Sequence, residues 1–177
     1  YIHSANEPLL VAGVATAALE MLEVEPDLER IVVPLGGGSG AMGAGVVARA
    51  VNPAIRVVGV QAEGAPAIYL SWKHGRPITT ERADTFAEGL ATREPFAMTL
   101  ALLPHLVDEV LLVSDDDLRA AIRLLFETTR LVGEGAGVAP IAAAMRHRQD
   151  WAGQKVGLML SGGNIAAEQW RAILVQS

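Results

Sequence analysis

Four short apolar runs punctuate the chain: Ile31–Leu35, Arg56–Ala62, Val110–Val113 and Val156–Leu160. Most are near-continuous rather than alternating, the pattern of strands covered on both faces. Between them, apolar residues recur at helical spacing. From Pro8 to about Val24 they are Leu9, Leu10, Val14, Ala17, Ala18 and Met21, and over Asp115–Val132 they are Leu118, Ile122, Leu125 and Phe126. Ser114, with Asp117 three residues later, predicts a capped helix start close to a capping box. The run Asp115–Asp117 reads as helix-start electrostatics. Ala41–Val51 is a small-residue helix suited to close packing on a sheet. The stretch Gly75–Leu106 has weak periodicity and several turn residues, and reads as a long irregular excursion. Strands alternating with helices predict an α/β fold in three layers, a mostly parallel sheet with helices on both faces. Residues 1–177 form one such domain.

Composition supports a packed core. The chain has 177 residues, of which 51% are hydrophobic. That is incompatible with disorder, which needs low hydrophobicity and high net charge. The net charge of −6, with no clustered Lys/Arg stripe, argues against nucleic acid as a partner. No apolar run approaches the roughly 18 residues of a membrane span. With no cysteine there is no disulfide scaffold and no thiolate chemistry, which fits a cytoplasmic setting. His3, His74, His105 and His147 show no zinc-ligand spacing.

The candidate chemistry lies after the first run. Ile31–Leu35 leads directly into Gly36, Gly37, Gly38, Ser39 and Gly40, and Ala41-Met-Gly-Ala-Gly45 continues as a helix. Glycines after a strand let backbone N–H groups converge on a ligand, because no Cβ obstructs a close approach. A following helix N-terminus adds free donors and positive dipole, which favours a phosphate. A dinucleotide is one phosphate ligand that this pattern leaves open. Gly38-Ser-Gly40-Ala-Met-Gly43 matches the dinucleotide fingerprint, and Glu63, ending the next run, stands where a ribose-binding acid would sit. A non-catalytic phosphate-binding module is another reading.

Further segments resemble a known family, the fold-type II pyridoxal-phosphate enzymes, which include threonine and serine ammonia-lyases (dehydratases) and serine racemases. The resemblance runs through Tyr1-Ile-His3, Ala12-Gly-Val-Ala-Thr16, Val32–Gly40 and Val58-Gly-Val-Gln-Ala-Glu63 with Ala65-Pro-Ala67. It continues through Thr85-Phe-Ala-Glu-Gly-Leu-Ala91, Glu134-Gly-Ala-Gly137 and Leu160-Ser-Gly-Gly-Asn164, in family order. It implies the large-domain part of the tryptophan synthase β-like fold, pyridoxal 5′-phosphate as cofactor, and a hydroxy amino acid as substrate of β-elimination or racemisation. By the same resemblance, Gly36 to Gly40 with Ser39 hold the phosphate and Gly89 leaves room for the flat ring. Ser161 meets the ring nitrogen, and Glu134 is a support residue. Asn164 is also read as a helix N-cap. Glu63 resembles a cation ligand of some relatives, but Tyr69 stands where those offer an acid, so a monovalent ion or none is expected.

Two departures touch the start of the chain. The family's Gly-Gln-Gly-Thr is Gly13-Val-Ala-Thr16 here, and His3 lacks the proline and aromatic that often follow it. A third departure concerns catalysis. The family holds its cofactor through a Schiff-base lysine in a Ser-Phe-Lys motif, and the lysines of this chain, Lys73 and Lys155, match no such motif. Both read as surface residues. The chain is therefore expected to be the C-terminal portion of a longer two-domain enzyme, completed by an N-terminal half or a complementing chain, and prone to homo-oligomerise through apolar surface.

Overall fold

The computed structural model describes His3 and residues 5–175. Of the family-like opening Tyr1-Ile-His3, Tyr1 and Ile2 lie outside the described residues. Helix α1 (Pro8–Val24) precedes strand β1 (Arg30–Pro34), and α2 (Ser39–Val51) leads to β2 (Arg56–Ala62). Then come α3 (Ala67–His74), a 3-10 turn at Glu88–Leu90, α4 (Ala97–Leu106) and β3 (Glu109–Val113). The last part holds α5 (Asp115–Thr129), α6 (Ala139–Arg146), β4 (Val156–Leu158) and α7 (Ala167–Val175).

All strand pairs are parallel, in the order β3-β2-β1-β4. Most of the apolar runs read as doubly covered; the central strands β1 and β2 are, while the edge strands β3 and β4 stay partly exposed. Val32, Val58 and Val60 point into a core with Leu118 and Ile122 of α5, Ala139 and Ala142 of α6 and Ile173 of α7. Their neighbours Ile31, Val33 and Val57 face the opposite core, with Ala18 and Leu22 of α1, Met42 and Ala44 of α2, Ile68 of α3 and Leu103 of α4. Alternation along each strand thus divides the helices into two outer layers, as expected.

Helix α2 is more enclosed than its sequence predicted. A Cβ on Gly43 would stand 3.0 Å from the backbone of Ala15 in α1, and one on Gly45 would press on Leu106 at the end of α4. Small residues admit helices on two sides as well as the sheet. Helix α5 has the full capping box, with Ser114 accepting from the Asp117 N–H and Asp117 from the Ser114 N–H. It stops at Thr129 rather than reaching Val132, because Arg130 turns left-handed at φ 66°.

The irregular reading of Gly75–Leu106 needs correction at its end, since Ala97–Leu106 is helical. Its inward positions are Leu103 and the polar Thr99, and Pro104 lies inside the helix. A polar inward residue and a proline hide the helical period. Among the described residues no helix is long and apolar enough to cross a membrane.

Candidate cofactor site

In a parallel sheet, ligands gather beyond the carboxyl ends of strands where the order reverses direction. Here that point lies between β1 and β4: the chain runs outward from β1 to β2 and β3, then returns to β1's other side. The glycine loop leaves β1 at this point, and Met159-Leu160-Ser161 leaves β4 beside it, with the Met159 N–H donated to the Val32 carbonyl at 3.0 Å.

The loop is built for close approach. Gly36 sits against Gly89, whose carbonyl oxygen would collide with any Cβ at position 36. Gly38 is the N-cap of α2 at φ 100°, and no side chain caps the helix. Its first-turn N–H groups are therefore left for a ligand, with the positive end of the helix dipole behind them. Thr99, fully buried, donates its hydroxyl to the Gly37 carbonyl at 2.6 Å and braces the loop from α4. Sequence reasoning missed Thr99, because a lone threonine in a weakly periodic stretch carries no local signal.

A cavity of about 490 Å³ opens at this point, and residues 36–40, Gly89, Glu134 and Ser161 all line it. Positions spread over more than 120 residues of sequence thus share one wall. Val14 and Thr16 of α1 also line it, so the departure at Gly13–Thr16 falls inside the site. Neither Lys73 nor Lys155 reaches the cavity: Lys73 Nζ lies 3.3 Å from the Tyr69 hydroxyl, and Lys155 pairs with Glu25 at 3.0 Å.

The segment Thr85–Gly89 is held from α5. Asp115 accepts the Thr85 hydroxyl at 2.6 Å and the Phe86 N–H at 3.2 Å, a role beyond helix-start electrostatics. Glu134 directs its carboxylate to the Asn164 N–H at 2.8 Å, not to the first turn of α6. Asn164 is not an N-cap, because α7 begins only at Ala167 and the Asn164 N–H is engaged by Glu134 instead. Glu63 lies away from the cavity and pairs with Arg146 at 3.0 Å, which also meets Asp117 at 3.0 Å. A guanidinium thus takes the carboxylate that the sequence offered to a cation, and no cluster of three or more candidate metal ligands occurs among the described residues.

Burial pushes the Asp117 carboxyl up, but hydrogen bonds from the Ser114 hydroxyl and N–H and the nearby Arg146 outweigh it, holding Asp117 below its ordinary range. The hydrogen bond to Glu63 raises Arg146 above its ordinary value, with Asp117 adding to it against burial.

A family model described as pyridoxal-phosphate dependent enzyme matches residues 1–162. The chain belongs to that family. It is 38% identical over 165 residues to an L-threonine ammonia-lyase of Thermotoga maritima, covering 93% of this chain and 41% of that protein. Among solved structures, a threonine deaminase of T.th. superposes with a TM-score of 0.88 at 34% identity, over 93% of this chain and 61% of that one. Maize serine racemase gives 0.89 at 30% identity, over 97% and 55%. The chain spans less than half the length of the Thermotoga relative.

Pyridoxal 5′-phosphate is the cofactor of this enzyme family, and the residues present here fit it: uncapped N–H groups for a phosphate, and a hydroxyl-bearing Ser161 on the same cavity, whose wall includes Gly89. The dinucleotide reading of Gly38–Gly43 falls, since Glu63, its ribose acid, does not face the cavity and is paired elsewhere.

Proposed function

We propose that this chain is the cofactor-binding portion of an ammonia-lyase that dehydrates a hydroxy amino acid such as threonine or serine by β-elimination. The observation carrying the reading is the single cavity shared by the glycine loop, Gly89 and Ser161. When bound, pyridoxal phosphate supplies an electron sink for the carbanion left by loss of the α-proton.

The chain's own residues bind and orient. Residues 36–40 hold the phosphate through backbone N–H groups and the Ser39 hydroxyl, at the dipole end of α2. Gly89 leaves the ring its space. The Ser161 hydroxyl is a neutral partner for the ring nitrogen, which leaves that nitrogen largely unprotonated. A weaker sink suffices when a β-hydroxyl departs and relieves the carbanion. Racemisation of serine is the second reading, supported by the likeness to maize serine racemase. That no lysine lines the cavity supports a reading in which another polypeptide portion, in the same protein or a complementing chain, supplies the group that anchors the cofactor and moves the proton.

Titration of the purified chain with pyridoxal phosphate, pyridoxamine phosphate and NAD, followed by tryptophan fluorescence, tests this. Both vitamer phosphates are expected to bind and NAD is not, with no turnover of threonine or serine. NAD binding without response to either vitamer phosphate overturns the cofactor assignment. Ordinary dehydration by the isolated chain overturns the division of labour.

A further inference from the structure

Ser161 sits on a stretch with little regular structure to hold it. Strand β4 ends at Leu158 and α7 starts at Ala167, so eight residues pass between them with no helix or strand. Among the described residues, the hydrogen bonds tying Gly162–Asn164 to another segment both go to Glu134. Its N–H donates to the Gly162 carbonyl at 3.1 Å, and its Oε2 accepts the Asn164 N–H at 2.8 Å. The fit is tight: a Cβ on Gly162 would stand 2.7 Å from Glu134 Oε1, and one on Gly137 would stand 2.9 Å from the Gly162 nitrogen. Glu134 is in turn fixed ahead of α6, its carbonyl accepting the Val138 N–H at 3.1 Å.

We infer that Glu134 is a positioning residue that clamps Gly162–Asn164 and thereby sets the Ser161 hydroxyl in the cavity. What the site needs from Glu134 is a hydrogen-bond acceptor at that place, not a negative charge. The inference rests on the cofactor reading for the role of Ser161, while the clamp itself rests only on the Glu134 contacts. The alternative, a carboxylate acting by its charge, makes a different prediction. Glutamine keeps an acceptor oxygen for the Asn164 N–H, and alanine keeps none.

Amide hydrogen exchange of the cofactor-free chain reads the clamp directly. In Glu134→Ala the Asn164 amide is expected to exchange about tenfold faster, the scale of one lost hydrogen bond. Glu134→Gln should restore most of the protection. Amides of β1 serve in each variant as the reference for an intact fold.

Pyridoxal-phosphate affinity forms the second arm. Glu134→Ala should weaken binding about as much as Ser161→Ala, and the double variant should be little worse than either, because both lose one interaction. Unchanged Asn164 exchange in Glu134→Ala overturns the clamp, as does a Glu134→Gln variant as damaged as the alanine one. If the unaltered chain binds no pyridoxal phosphate, the cofactor reading fails while the exchange arm still decides the clamp.

Discussion

A methyl group at position 36 meets backbone, not a side chain that can swing away. The Gly89 carbonyl blocks its place, so strand end or 3-10 turn must move. Gly36→Ala is therefore expected to lose about 1–3 kcal/mol in urea unfolding, the cost of overpacking, and to displace the cavity wall. Gly40→Ala is the contrasting case, since a Cβ there has nothing within 4 Å. That variant should be neutral or gain about 0.5–1 kcal/mol from reduced backbone freedom in the first turn of a helix. A loss of similar size in both variants would show that glycine content, not the contact with Gly89, sets the cost. The glycines were visible in the sequence as a ligand loop. Their contacts were not, because Gly36 and Gly89 are brought together only by the return of the chain from α3 to β3.

Helix α5 shows how far local chemistry reaches. Its start was legible because the capping box joins residues three positions apart, and Ser114→Ala should cost about 1 kcal/mol. Arg146 was not legible as a partner of Asp117, since it arrives from the end of α6. The Ser114 donors and this arginine hold the folded Asp117 carboxyl below its unfolded value, against burial. A depressed folded pKa contributes stability that is present above the unfolded value, about 3.9 for Asp. That stability is lost as pH falls through the folded one. Asp117→Asn should therefore be less stable than the parent at about pH 7, and the gap should narrow as pH falls below about 4. Urea midpoints measured across that range check it, and a gap constant with pH would remove Asp117 from the acid response. Helix α4 failed to declare itself for the opposite reason. Its inward Thr99 makes its decisive hydrogen bond to the glycine loop, 62 residues away in sequence.

Across the whole molecule, the cavity joins α1, the loop after β1, the 3-10 turn, the approach to α6 and the exit from β4. A ligand held by all of them stabilises the folded chain as a unit. At about 100 times its Kd, pyridoxal phosphate should add about 2.7 kcal/mol to unfolding stability. Inorganic phosphate, filling only the loop, should need far higher concentration for the same rise in Tm. Equal responses at equal concentration would mean that Gly89 and Ser161 contribute nothing to binding.

What the sequence alone determined are the features with a short range. Unbroken apolar runs made parallel strands, a 3.6-residue period made α1 and α5, and glycines between strand and helix made a close-packed loop ahead of an uncapped helix start. The order of motifs along the chain resembled the pyridoxal-phosphate enzymes, and the family and fold agree with that. Tertiary structure decided what depends on distant pairs. The strand order reverses between β1 and β4, and that crossover, with the return of the chain from α3 to β3, brings Gly36, Gly89, Glu134 and Ser161 around one space. It also gave Glu63 to Arg146 and Asn164 to Glu134, because partners distant in sequence meet only where the packing of α6 and the exit from β4 places them.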